Sequence, residues 1–313
     1  MWTLWIACIA DVPVDPAFSA ADGDPERGRY LGEHVANCLM CHSQRDWDVL
    51  GAPNTDGAPG AGSDSTFRIE SFPPGTVLWT RNITSDPATG LGSWTDAEIA
   101  RAVTSGLSRD GTPLFLNRPY DQFGRMSNPD LVDLIAWVRT LPPVRREVPA
   151  RVLPLPLGLV VRTMPTAPSL VETSPASGPE RGAYLANLAS CVWCHSPVDD
   201  QQKVIPGTEM SGGHAWTLPN GGTVRSANLT PDPATGLGAW SEAAFVARFR
   251  GLDVDAMHRT PVGPTDFATP MPWAAFSTLE EEDLRALWAW LRTLPPQEHR
   301  VVRFEPGTSG SRP

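Results

Sequence analysis

The chain has 313 residues and a formal charge of −10 at neutral pH; 41% of its residues are hydrophobic, 19% are charged, and 33 are proline and 27 glycine. The length suggests about two domains. The apolar content supports buried cores, and the prolines and glycines point to long irregular loops. The negative charge argues against a nucleic-acid partner, whose phosphates require a basic footprint.

Met1 to Ala10 is an apolar run with no Lys or Arg before it, too short to span a bilayer. Residues 1–21 read either as the remnant of an export signal or as a lipoprotein N-terminus. In the second reading Ile6-Ala7-Cys8 is a loose lipidation match that would associate the protein with a membrane. Asp24-Pro25-Glu26 then opens a helix, with an N-cap residue type followed by proline at the first helical position. That helix runs into Cys38-Leu39-Met40-Cys41-His42. C-x-x-C-H is the attachment sequence of c-type haem: the two thiols add to the haem vinyl groups and the histidine lies beneath the iron. Such attachment takes place outside the cytoplasm, so the expected location is the periplasm or the periplasmic face of a bacterial membrane.

A second helix is expected from Thr95-Asp96-Ala97-Glu98, which fits a capping box, and a third over about Asn128 to Thr140. Arg145 to Pro179 is rich in proline and reads as a linker, with Leu153, Leu155, Leu157, Leu159 and Val160 lying extended against a domain surface. The whole pattern then returns. Arg27-Gly28-Arg29-Tyr30-Leu31 matches Arg181-Gly182-Ala183-Tyr184-Leu185, and Cys191-Val192-Trp193-Cys194-His195 follows the first motif by 153 residues. The loop from Asn82 to Trp94 matches the one from Asn228 to Trp240, and Ala136 to Pro143 matches Ala289 to Pro296. A cap at Ser241 opens the second copy's middle helix, with Ala244 in place of the box glutamate. Its last helix is expected from Thr278 to Thr293, with Leu284, Leu287, Trp288 and Leu291 as a core stripe. Double prolines end both final helices. Such a repeat specifies two copies of one domain: residues 22–146 and 177–303, joined by a linker over 147–176 and followed by a disordered tail, 304–313. Four of the five cysteines belong to the two motifs, and only Cys8 is left over. A zinc site built from both C-x-x-C pairs is the non-haem alternative, but a separation of 153 residues is far wider than zinc pairs use.

The R-G-x-Y-L segment, the N-[IL]-T-x-D-P-A-T-G-L-G-x-W loop and the A-W-[LV]-R-T-L-P-P helix resemble the multihaem cytochrome c subunits of membrane-bound bacterial alcohol and gluconate dehydrogenases. The resemblance covers nearly the whole chain. It implies an all-α fold, two tandem class I-like cytochrome c domains, and an electron-transfer role. Those subunits usually carry three haems, whereas this chain has sites for two covalently bound haem c groups, through Cys38 and Cys41 and through Cys191 and Cys194. His42 and His195 are the proximal iron ligands. The resemblance puts the methionine of Met271-Pro272-Trp273 opposite His195, a pairing that raises the potential.

In the first copy the aligned residues are Arg118-Pro119-Tyr120, and arginine has no lone pair to offer iron. The sixth ligand of haem 1 is therefore Met126, or water or an open site, or another residue; His34, His214, His258 and His299 are the remaining histidines. Arg118 stands either as a partner of a haem propionate or as a solvated surface residue. No nucleophile or general base stands out, so an electron carrier is expected. Its donor would be of the dehydrogenase type and its acceptor a quinone, a cytochrome or an oxidase of a respiratory chain. A dihaem peroxidase-like enzyme with an open iron at haem 1 is the alternative, and a redox or gas sensor a third class.

Overall fold

The computed structural model describes residues 12–55, 57–64, 73–114, 119–199 and 202–307. Cys8 and Arg118 lie outside the described residues, as does the end of the expected tail. The chain divides into two compact units, Met1–Gly32 with Phe72–Ser174, and Glu33–Ser71 with Pro175–Pro313. Residues 33–71, which carry the first cysteine motif, thus belong to the same unit as the second motif.

In the first unit, α1 (Pro25–Arg29) starts where the sequence places it, the Asp24 carboxylate accepting from the amides of Glu26 and Arg27 at 2.9 and 3.2 Å. It crosses α5 (Asn128–Thr140) with the backbones almost touching: a Cβ on Gly28 would lie 1.8 Å from the Asp133 carbonyl oxygen. Only glycine fits there, which explains the Arg-Gly pair of the repeat. α3 (Asp96–Ser105) carries the expected capping box, with Glu98 N donating to Thr95 Oγ1 at 3.2 Å and Thr95 N to Glu98 Oε2 at 2.8 Å. α4 (Pro119–Phe123) is a short turn before α5.

The expected linker packs on this unit. Val152 and Val77 exchange backbone hydrogen bonds of 2.9 Å each way, and Val171 N donates to the Met126 carbonyl at 3.1 Å. Part of the linker lies extended, at Val152 in its antiparallel bridge to Val77, but Leu157, Leu159 and Val160 fall in a helical turn. α6 (Leu157–Val160) and the 3₁₀ turn Val161–Thr163 bury Leu157 and Val161 against Leu78, Leu153 and Met164, leaving Leu155 and Leu159 exposed.

The second unit repeats the crossing. α7 (Gly178–Leu188) lies on α12 (Glu281–Leu291), where a Cβ on Gly182 would fall 2.0 Å from the Ala286 carbonyl oxygen. Leu284, Leu287, Trp288 and Leu291 are buried, as their helical spacing requires. α9 (Glu242–Arg250) is capped by Ser241, whose Oγ accepts from Ala244 N at 3.2 Å. Two shorter helices, α10 (Val254–Met257) and α11 (Trp273–Phe276), lie between α9 and α12.

The all-α expectation is corrected: the fold mixes α and β. Besides the two-residue strands β1 (Ser63–Asp64) and β2 (Trp79–Thr80), the second unit holds an antiparallel sheet of β3 (Ala215–Thr217), β4 (Thr223–Arg225) and β5 (Phe304–Glu305). Thr217 pairs with Thr223, and Val224 with Phe304. The cause is legible in hindsight. Tryptophan, threonine and valine favour the pleated surface, and Asn220-Gly221-Gly222 between the strands is a hairpin signal. β5 recruits residues 304 and 305, which the sequence reading places in the tail. Among the described residues no helix is long and apolar enough to cross a membrane.

The D-P-A-T-G-L-G loops are polar clips. Asp86 Oδ1 accepts from Ala88 N, Thr89 N and Thr89 Oγ1 at 3.1, 2.7 and 2.7 Å, and Asn82 Nδ2 reaches Thr89 Oγ1 and the Val144 carbonyl at 3.1 and 2.7 Å. Asp232 repeats the three contacts at the same distances with Ala234 and Thr235, and Asn228 reaches Thr235 and the Gln297 carbonyl at 3.0 and 2.7 Å. Each clip ties its loop to the chain emerging from the last helix of that half. The most distinctive repeated motif thus holds the framework together.

Candidate functional site

α2 (Cys38–Cys41) and α8 (Cys191–Cys194) are single helical turns that place each pair of thiols at i and i+3, on one face. Both turns are entered through a left-handed residue, Asn37 at φ 54° and Ser190 at φ 60°. Both close on their histidine, the amide of His42 donating to the Cys38 carbonyl at 3.0 Å and that of His195 to the Cys191 carbonyl at 2.8 Å.

The chain then folds back on each histidine in the same way. Gly62 N donates to the His42 carbonyl at 2.8 Å, and Gly212 N to the His195 carbonyl at 2.7 Å. A fully buried serine follows each histidine: Ser43 Oγ accepts from Gly60 N at 3.0 Å and Ser196 Oγ from Met210 N at 2.9 Å. Gly60 and Met210, and likewise Gly62 and Gly212, adopt positive φ. The repeated unit is therefore C-x-x-C-H-S with a returning left-handed turn. Ser43 and Ser196 were missed by the sequence reading, although the motif visibly continues one residue past the histidine.

His195 is buried, and its Nδ1 lies 2.9 Å from the Ala227 carbonyl oxygen. A carbonyl only accepts, so Nδ1 carries the proton and Nε2 the lone pair. Burial pushes this imidazole down to about 4, which keeps it neutral at physiological pH. A neutral ring fixed through its second nitrogen is what an iron ligand requires. His42 is half-buried at the equivalent place in the first motif.

The four motif thiols form no disulfide. Burial pushes Cys38, Cys191 and Cys194 up to about 12 and raises Cys41, which the Arg45 charge partly offsets. Charge on Cys41 adds to the rise at Cys194. The zinc alternative needs converging ligands, and among the described residues no three His, Cys, Asp or Glu side chains are grouped to hold a metal ion. Free thiol pairs, each followed by a histidine, suit a c-type haem, which takes two thioether bonds and an iron ligand from such a motif.

Met271 is half-buried just before α11, in the same unit as His195; its amide donates to Thr269 Oγ1 at 3.1 Å and its carbonyl accepts from Trp273 N at 2.8 Å. Met126 is fully buried two residues before α5 begins, in the other unit. Three of the remaining histidines have ring partners of their own. His34 Nδ1 lies 2.7 Å from Thr278 Oγ1, and His299 Nδ1 lies 3.0 Å from the Ser211 carbonyl. His258 caps the end of α10. His214 Nδ1 lies 2.9 Å from the Trp193 carbonyl; its ring stacks on Trp216 at 4.2 Å and meets Trp193 edge-on at 4.5 Å.

No family model matches the chain. Individual relatives do. The cytochrome c subunit of the quinone alcohol dehydrogenase of Gluconacetobacter polyoxogenes is 29% identical over 290 residues, covering 87% of this chain and 56% of that one. The fructose dehydrogenase cytochrome subunit of Gluconobacter japonicus is 26% identical over 313 residues, 94% of this chain and 58% of the relative. A protein named dihaem cytochrome c-type in Cereibacter sphaeroides is 26% identical over 309 residues, 94% of both chains. The chain spans little more than half the length of these dehydrogenase subunits. It resembles them and the dihaem cytochrome alike, as cytochrome c proteins serving electron transfer.

Proposed function

We propose that this chain is a dihaem electron carrier, with one haem bound through Cys38 and Cys41 above His42 and the other through Cys191 and Cys194 above His195. When bound, each haem supplies one-electron chemistry at its iron. The chain's own residues hold and orient it. The single-turn helices α2 and α8 present the thiols, the glycine turns at Gly62 and Gly212 lock the histidine backbones, and the Ala227 carbonyl keeps His195 Nε2 free for iron. Met271 completes the second haem, its thioether favouring the reduced state. Met126 stays the candidate for the sixth position of haem 1; it is buried, as Leu279 is at the aligned position of the second copy, and that burial equally supports a packing role.

Electrons enter from a dehydrogenase-type donor and leave to a quinone, cytochrome or oxidase of a respiratory chain, on the periplasmic side of the membrane. The observation that carries this reading is the repeated geometry of two thiols, a backbone-locked histidine and a returning turn, present twice in one compact unit. A coulometric titration of the purified holo-protein tests it. Two electrons per chain, taken up and fully released to an added oxidant, are expected. Uptake of none, or turnover of peroxide at a rate exceeding the re-oxidation, would sink it.

A further inference from the structure

The segment between the two repeats presents the most exposed large apolar side chains of the first unit. Leu157 and Val161, about one helical turn apart, face inward and pack with Leu78, Leu153 and Met164. The same turn leaves Leu155 75%, Leu159 58% and Val160 45% exposed, and Val152 just before them is 51% exposed. The turn itself is well formed. Gly158 N donates to the Pro154 carbonyl at 3.1 Å, and Leu159 N and Val160 N donate to the Pro156 carbonyl at 2.9 and 3.1 Å. An apolar side chain standing alone at a surface needs no explanation, but a ridge of them marks a surface that meets something.

A cavity of about 370 Å³ adjoins this ridge, lined by Leu153, Gly158 and Val161 and by Arg151, Arg162 and Asp110. The Asp110 carboxylate is satisfied by its own loop: it accepts from Thr112 N at 2.9 Å and from the hydroxyls of Thr112 and Ser108. Arg151 is steadied by the Pro113 carbonyl, to which its Nη2 donates. Two guanidinium groups against one carboxylate leave the lining cationic. The surrounding segment has the same sign. Between residues 145 and 162 stand Arg145, Arg146, Arg151 and Arg162 with Glu147 as the one acid, and Arg81 joins them by donating to the Val148 carbonyl at 2.9 Å. In a chain of net charge −10 this is a local reversal of sign.

We propose that residues 151–162 form a docking site for an anionic phospholipid surface. The phosphate of one headgroup occupies the cavity against Arg151 and Arg162, while Leu155, Leu159 and Val160 enter the acyl boundary beside it. Guanidinium forks match phosphate oxygens in charge and geometry, and the cavity is of the size that small ligands fill. The apolar residues select the occupant. Leucine and valine without tryptophan or tyrosine make weak anchors for a protein partner, which would have to offer a pocket shaped to each. A bilayer closes around any projecting aliphatic group and meets the flanking cations with its phosphates. This goes beyond the electron-carrier reading, and nothing in it requires haem.

The test is flotation of the full-length holo-protein with vesicles, every chain carrying Cys8→Ser so that no lipid is attached there. Partition onto phosphatidylethanolamine–phosphatidylglycerol vesicles should exceed that onto phosphatidylcholine about tenfold at low salt, and the excess should shrink as salt is added. Leu155→Ser/Leu159→Ser should lower partition onto both kinds of vesicle about tenfold, with the melting temperature unchanged because both side chains face solvent. Arg162→Gln should lower partition onto the anionic vesicles alone, about fivefold. Binding that the leucine pair does not change assigns attachment to another segment and overturns the proposal, as does equal binding to the two lipids. Titration with inorganic phosphate alone separates the sources: phosphate bound without vesicle binding makes the cavity a site for the free anion and overturns the docking surface. A dimer in sedimentation velocity that the leucine pair makes monomeric puts a second copy on the ridge and also overturns it. Covalent haem content, read by absorbance in each sample, reports on the dihaem reading separately.

Discussion

The two halves of the repeat agree most closely where they hold shape and differ most where they set properties. The clips around Asp86 and Asp232 reproduce one another contact for contact, and both helix crossings rest on a glycine pressed against a carbonyl. The ion pair beside each crossing diverges. Arg181 binds Asp283 through two bonds of 2.9 and 3.0 Å, both side chains buried, whereas Arg27 reaches Asp130 once at 3.4 Å with its guanidinium partly exposed. The sequence diverges too where the copies align, with Met271 in one and Arg118 in the other. The framework repeats closely, while charge placement differs between the copies.

The ion pairs give the largest contrast. Truncating one partner of a buried pair strands the other charge and costs about 3–5 kcal/mol. Asp283→Ala should destabilise on that scale and Asp130→Ala by about 1 kcal/mol, as read from urea unfolding monitored separately for each half. Equal losses would erase the distinction. Next come the crossings, where the halves should behave alike. Gly28→Ala and Gly182→Ala each drive a methyl into a carbonyl, and each should cost about 3 kcal/mol, the upper end of overpacking penalties. A tolerated alanine at either site would mean that its crossing is looser than the other.

The clips are expected to fail together in acid. The Thr89 hydroxyl and amide hold Asp86 below the usual carboxylate range, and those of Thr235 do the same for Asp232. A carboxylate whose folded pKa is depressed contributes stability above its unfolded value of about 3.9, and that stability is lost as pH falls through the folded pKa. Thermal melts from pH 6 down to pH 3 should therefore fall more steeply for wild type than for Asp86→Asn or Asp232→Asn. Parallel curves would show that the clips do not depend on charge. The smallest effect concerns the middle helices. Ala244→Glu would give α9 the box that α3 has and should add about 0.5 kcal/mol, while Glu98→Ala should remove a similar amount from α3; melting temperatures check both.

Much of this was legible in the sequence because it is local. Asp24, Thr95 and Ser241 announce helix starts through bonds spanning two or three residues, and C-x-x-C-H announces one helical turn. The sheet was less visible, since β3 and β4 are three residues each and β5 joins them from some 80 positions away. The assignment of residues 33–71 to the second unit was invisible. It rests on Leu50 meeting Thr260 and Asp48 meeting Val262, and no local periodicity encodes contacts between segments more than 200 residues apart. The linker likewise looked like a spacer by composition, because proline content reports backbone stiffness and not what Leu157 and Val161 pack against.

The central claim is that both cysteine motifs hold covalent haem, and the intact mass of the protein produced with the cytochrome c maturation machinery tests it most directly. The mass should be increased by two haems, by one in Cys38→Ser/Cys41→Ser and in Cys191→Ser/Cys194→Ser, and by none when all four cysteines are replaced. A wild-type chain whose motif thiols remain unmodified and open to alkylation would contradict it.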